Sequence, residues 1–330
     1  MAARPHPCRP VPLLAVVVAA ACSGGGPTAA TGPLPSATVL SGQVVEELAG
    51  AGLSGVRVEF AGATTETDAD GRFLITGAPS TARRAVTLTG LAIHRRETYA
   101  ADGATRFTAL PVSFDMAAFD DVAREQSRTI RWVRSPSIYL DPRVVGGEPD
   151  PAEVSRWIAE IEALAPALVA EWTGGALASG QVVVGTAPPA SGAIVLAFDE
   201  SANYPNERVA GMTSVTWSGD GVIGSGRIRF RFSGIAGTAG TYARRAIIAH
   251  ELGHALGLGH MDGGVLSVMA PVVRTPFLTV FDANAGRVLY GRPPGNVSVD
   301  RDARPNVSAG LSPAGVPAGT AEWSCPAALP

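Results

Sequence analysis

Residues 250 to 260 read HELGHALGLGH. Three of the chain's five histidines fall in this stretch, His250, His254 and His260, with Glu251 beside the first and Gly257 three residues after the second. In an α-helix four residues advance by about 400°, so His250 and His254 leave one face a turn apart, near enough for both imidazoles to bind one ion. Glu251 is turned by about 100° from His250. That places it beside such an ion without making it a ligand, where a general base for a metal-activated water belongs. The helix must then end, because His260 on a continued helix would be out of reach. Gly257 can take the left-handed conformation that ends helices at little steric cost, and Gly259 adds further freedom. Three neutral nitrogens leave a fourth position for water or substrate, which is the arrangement of a catalytic zinc. Five fixed positions of this kind coincide by accident in about one chain in 10⁵ at this composition.

The elements that must position these residues can be read outward from the motif. A helix is predicted over roughly 241–256 to carry it, followed by a loop with SVMAP and a short helix near 282–290. Upstream, DPAEVSRWIAEIEALAPALVAEW reads as a long helix. Asp150 is its N-cap, Pro151 suits the first turn and Glu153 would complete a capping box. Trp157, Ile158, Ile161, Leu164, Leu168 and Trp172 recur at helical spacing, so one face is buried, while Pro166 is expected to kink or divide the helix. TIRWV, SIYL, QVVVG, GAIVLAF, AGMTSVTW and GRIRFRF read as strands. GDGVIG at 219–224 precedes a strand and is read as a hairpin loop, not a dinucleotide site.

HELGHALGLGH followed by SVMAP resembles the metzincin metallopeptidases, and the spacing from His260 to Met269, with Pro271 two residues on, is closest to the matrixins. The resemblance implies an α+β catalytic domain with a twisted mixed sheet and long helices. It further implies one catalytic Zn2+ held by His250, His254 and His260, with Met269 in a turn beneath the ligands. Pro271, Val272 and Val273 would form one wall of the main specificity pocket, and the strand around 210–217 would be the sheet edge that receives an extended peptide. The reaction implied is peptide hydrolysis, in which Glu251 takes the water's proton and passes it to the leaving amine. Matrixins usually add a structural zinc and a latency cysteine. Here His94 is the one further histidine beyond the first 21 residues, and no cysteine precedes the catalytic region except Cys8 and Cys22. Cys325, in the last six residues, could reach back as an inhibitory ligand, but an unpaired tail thiol is the reading preferred.

Residues 38–111 carry short β-rich runs separated by Gly and Asp turns, enough for about seven strands and a small sandwich. SGQVVEELAGAGLSGVRVEFAGATTETDADGRFLITG also resembles the carboxypeptidase regulatory-like (transthyretin-like) β-sandwich, which implies an accessory domain without catalysis. The organisation expected is a signal peptide over 1–21, a flexible linker over 22–37, the sandwich over 38–111, a connector over 112–127, the peptidase domain over 128–295 and a disordered tail over 296–330. The apolar run LLAVVVAAA is too short to span a bilayer and ends on small residues before Cys22, which resembles a lipobox. Export follows, with a lipid anchor on Cys22 or free secretion.

With 26 basic and 29 acidic residues and no basic stripe, nothing points to nucleic acid. A monomer acting on protein or peptide substrates is expected. Calcium is left open, since Asp199, Glu200, Asp300 and Asp302 could serve it or simply be solvated. A second reading, from a different class, is a surface binding or adhesion lipoprotein whose protease-like domain has little turnover.

Overall fold

The computed structural model describes residues 38–78, 84–100, 106–124, 128–178, 180–201, 204, 209–232, 241–262, 264–273, 275–302 and 318–326. The expected signal peptide, linker and lipidation site Cys22 lie outside them. Among the described residues no helix is long and apolar enough to cross a membrane.

The first half is built from seven strands: β1 (Thr38–Glu46), β2 (Arg57–Phe60), β3 (Ala63–Glu66), β4 (Arg72–Ala78), β5 (Ala85–Thr89), β6 (Arg96–Tyr99) and β7 (Arg106–Ala109). They form two sheets, ordered β4-β1-β7 and β3-β2-β5-β6. Alternation is the cause, since one residue in two turns inward. Val44, Phe73, Ile75 and Phe107 from one sheet meet Val58, Phe60, Val86 and Leu88 from the other in a single core. The DADG turn closes on its own first aspartate, whose carboxylate accepts from Asp70 N at 2.9 Å and Arg72 N at 2.8 Å.

The second half is α+β. Helix α1 (Met116–Ala123) lies in the expected connector, and β8 (Ser137–Val145), α2 (Pro151–Trp172), β9 (Val183–Val184), β10 (Ala193–Asp199), β11 (Val209–Trp217) and β12 (Ile223–Phe230) follow. Helices α3 (Thr241–Ala255) and α4 (Val280–Gly291) and a last strand, β13 (Gly319–Pro326), complete it. The mixed sheet runs β13-β11-β12-β10-β8-β9. Its central strands are parallel, and β11 is antiparallel to both β12 and β13.

Helix α2 departs from expectation in two ways. It runs unbroken through Pro166, whose missing N–H would have met the carbonyl of Glu162, a residue that faces water. Asp150 caps the helix through Ala152 N at 2.9 Å, but Glu153 does not close a capping box. Its carboxylate goes instead to Arg156 and Trp157, and to Arg244 of α3 at 3.2 Å. A nearby arginine and indole hold the carboxylate in preference to a backbone N–H that solvent can satisfy.

The tail expected to be disordered over 296–330 is ordered in two pieces. Asn296, Val299 and Asp302 are buried, and residues 300–302 run beside β6, where Asp302 accepts from Arg96 at 2.7 Å and Thr98 at 2.7 Å. Arg292, fully buried, pairs with Glu47 of the first half. These ties join the sandwich to the α+β part, and the described residues form one compact unit. The second ordered piece is β13. Its Pro- and Gly-rich surroundings concealed a strand whose alternate residues Ala321, Trp323 and Cys325 share one face.

Candidate metal centre

Helix α3 is enclosed along most of its length, and every residue from Ala246 to Leu258 is buried. A helix buried all round must satisfy its polar groups internally. Trp172 Nε1 donates to Ala249 O at 3.1 Å, Trp132 Nε1 to Ala255 O at 2.8 Å and Tyr290 Oη to Leu256 O at 2.9 Å. The last two take carbonyls that the helix end leaves without partners. Trp172, legible in the sequence as a core residue, and Trp132 are therefore also braces for the helix. At Gly257 the chain turns with φ of 103°, and a Cβ there would stand 2.1 Å from the Ile130 carbonyl oxygen. Glycine is required twice over, by conformation and by space. The turn returns His260 to the other two histidines.

The three imidazoles converge through Nε2. His254 Nε2 lies 3.0 Å from His250 Nε2 and 3.3 Å from His260 Nε2. Each buried ring is fixed from behind, His250 Nδ1 donating to Val268 O at 2.6 Å and His254 Nδ1 to Leu258 O at 2.7 Å. Since a carbonyl can only accept, the proton sits on Nδ1 and the lone pair of Nε2 faces the common centre. Burial holds the rings neutral: it pushes His250 down to about 3, His254 well down with help from its neighbours, and His260 down against the pull of Asp262.

A fourth donor closes the set. Cys325, expected as an unpaired tail thiol, is buried with its Sγ 2.8 Å from His250 Nε2, 3.3 Å from His254 Nε2 and 3.5 Å from His260 Nε2. All four donor atoms lie within 4.8 Å of one another, and the group could hold a metal ion. Tetrahedral zinc with usual bond lengths would set N···N edges of about 3.3 Å and N···S edges of about 3.5 Å. The donor chemistry fits, and separations of 3.0 to 3.5 Å approach that size, while Sγ lies closer to His250 Nε2 at 2.8 Å and the donors spread over as much as 4.8 Å. The expectation of an open fourth position is thus corrected, because pairing of β13 with β11 carries the thiol into it. Among the described residues this is the one metal-ligating group of its kind.

Glu251 stands against the set without joining it. Its Oε2 accepts from Thr213 Oγ1 of β11 at 2.5 Å, while its buried Oε1 has no hydrogen-bond partner. Burial raises this carboxyl to about 7, outweighing the opposing hydrogen bonds from Thr213 and, next, Cys325. Burial, and next the neighbouring carboxylate of Glu251, push the Cys325 thiol well up. Gly211 makes room for Glu251, since a Cβ on it would stand 2.2 Å from Oε1. Neither Gly211 nor Thr213 could be found from spacing, because both contacts cross from strand to helix.

Beneath the ligands, Met269 is fully buried, and its sulfur would lie 2.4 Å from a Cβ at Gly253. Packing of the methionine explains that glycine inside the motif. Asp282, at the start of α4, holds the turn in place: it accepts from Ser267 Oγ, from Val268 N at 2.9 Å and from Thr279 N at 2.8 Å. Asp282→Ala is expected to cost about 3 kcal/mol or more, since several donors to a buried carboxylate are orphaned together. Because Val268 orients His250, metal affinity should also fall about 10- to 100-fold. Urea unfolding and metal competition measure the two effects, and an unchanged affinity would detach the turn from the centre.

Pro271 and Val272 line a cavity of about 390 Å³ beside the turn, together with Met261, Asp262, Leu266 and Ala270. Val273, expected in the same wall, is buried in the main core instead, because its side chain turns inward. Of the four acids left open for calcium, Asp302 is committed to Arg96 and Thr98, Asp300 accepts from Ser298, Glu200 accepts from Phe232 N and Asp199 accepts from Ser201. His94 lies in the sandwich half, against the Phe114 carbonyl.

No protein-family model matches the chain, and no match is found among curated proteins.

Proposed function

We propose that this chain is a zinc-dependent endopeptidase of the metzincin class, matrixin-like, with His250, His254 and His260 as metal ligands and Glu251 as general base. The observation that carries the reading is the position of Glu251. A buried carboxylate with one oxygen held by Thr213 adjoins the Cys325 thiol, which itself lies against the three converging imidazoles. Bound at these nitrogens, zinc would polarise a peptide carbonyl and acidify a water. Glu251 then takes a proton at Oε1 and delivers it to the leaving amine. Thr213 keeps the carboxylate from rotating away, and burial lifts it toward the pKa of a proton shuttle at neutral pH.

Strand β11, expected as the sheet edge, is instead flanked by β13 on its outer side, and that pairing is the strand addition an extended peptide would make in its place. The cavity at Pro271 and Val272 would take a side chain of that peptide. Strand and helix order from β8 to α3, and the buried Met269 under the ligands, agree with the same class. Export, and anchoring through Cys22, belong to this proposal too.

The second reading, a surface binding lipoprotein with little turnover, draws on the closed four-donor set. The two are separated by loading the full chain with zinc, as wild type and as Cys325→Ser, and profiling both on a peptide library. Cleavage that a chelator stops is the expected result. One zinc per chain with no cleavage by either protein would favour the binding reading.

A further inference from the structure

We propose that Gly319–Pro326 is an internal occupant of the peptide-receiving edge, placing Cys325 as fourth metal ligand and holding the centre latent until the strand leaves. That its departure starts peptide cleavage rests on the endopeptidase reading; the occupancy itself does not.

The pairing extends along the whole of β11. β13 runs antiparallel to it from Val209 opposite Pro326 to Trp217 opposite Gly319, the way an extended peptide adds to an edge. Side chains alternate accordingly. Glu322 turns outward and reaches Arg229 at 2.8 Å. Trp323 turns inward and stacks on the His254 ring, the planes 3° apart with centroids separated by 4.8 Å. Two residues on, Cys325 pairs with Gly211, the position without a side chain that also admits the Glu251 carboxylate. The thiol is thereby set between the three Nε2 atoms and the base.

That is the place a water must occupy to lose a proton to Glu251, and a sulfur 2.8 to 3.5 Å from all three nitrogens excludes it. Three imidazoles and one thiolate complete a tetrahedral zinc shell with no position left. A purely structural site of this kind has no use for a buried carboxylate set directly beside the thiol and anchored from behind by Thr213, which this one has. On ligation the thiol gives its proton to solvent. On release the thiolate takes one back, so the exchange is balanced and needs no oxidant. An internal strand competes at an effective concentration in the mM range, so a peptide present at micromolar levels displaces it poorly.

The test uses the full chain with cobalt(II) in place of zinc, read first by absorption. Wild type should show near-ultraviolet thiolate-to-cobalt charge transfer, and Cys325→Ser should lack it while still binding one metal. A thiol reagent should modify metal-loaded wild type slowly and chelated wild type quickly. Trp323→Ala, which keeps the thiol but removes the stack on His254, should speed that modification. In the zinc form, Cys325→Ser should cleave peptides with a kcat/KM about 10²-fold above wild type. Absence of the charge-transfer band together with a freely reactive thiol would overturn the proposal, and cleavage by wild type would then leave the peptidase reading standing. A band present with Cys325→Ser inactive would uphold the occupancy and overturn both the latency and the peptidase reading.

Discussion

Glu251→Gln, introduced together with Cys325→Ser, is expected to lose about 10³-fold or more in kcat/KM while keeping one zinc per chain, because a proton-transferring group is removed and no ligand is touched. Glutamine has the same shape, and its carbonyl can still accept from Thr213, so the β11 side of the site should stand. What it cannot do is take a proton at the oxygen that lacks a partner. Kinetics on a cleavable peptide and metal analysis on the same preparation decide the matter. Activity within tenfold of the parent would remove Glu251 from the chemistry, and loss of zinc would make it a ligand.

His254→Ala should have the larger effect on the fold. The ring is fully buried, touches the other donors, holds Leu258 O through Nδ1 and supports Trp323. Its removal costs about 2–5 kcal/mol as a large-to-small change in a packed interior. The bound metal adds a second loss, about 4 kcal/mol where free zinc exceeds its Kd by a thousandfold. The two separate in urea unfolding with and without a chelator. Chelation should lower the wild-type midpoint strongly and leave His254→Ala where it was. A mutant that still responds to the chelator would mean that the metal is held elsewhere.

The contrast between these residues and Cys325 explains what could be read in the sequence. Two of the proposed ligands and the proposed base sit within five residues, where helix geometry alone fixes their directions, and Gly257 marks the turn that brings the third histidine. Alternation marked the seven strands of the first half for the same local reason. Asp282 was not legible as an anchor, because its partners Ser267 and Val268 come from a loop whose path no spacing encodes. Gly211 looked like any strand glycine, since the carboxylate it accommodates belongs to a helix some forty residues later. Cys325 was furthest from reach. Its partners lie 65 to 75 residues upstream, and the surrounding Pro, Gly and Ser suggest a chain with nothing to pack. Composition described the neighbourhood correctly and missed the eight residues that pair. Pro166 erred in the opposite direction, because the carbonyl it leaves free faces water and the helix tolerates it.

The pairing of β13 on β11 also bears on how the protein keeps its solubility. β11 is buried at all but two of its nine positions, so as an outermost strand it would present an apolar ribbon of unpaired amides, the kind of surface that templates aggregation. β13 makes a safer border, carrying the outward charge of Glu322 and ending at Pro326. Whatever frees the centre therefore also bares a sticky margin, and the opened protein should be shorter-lived in solution unless another extended chain takes the vacated place.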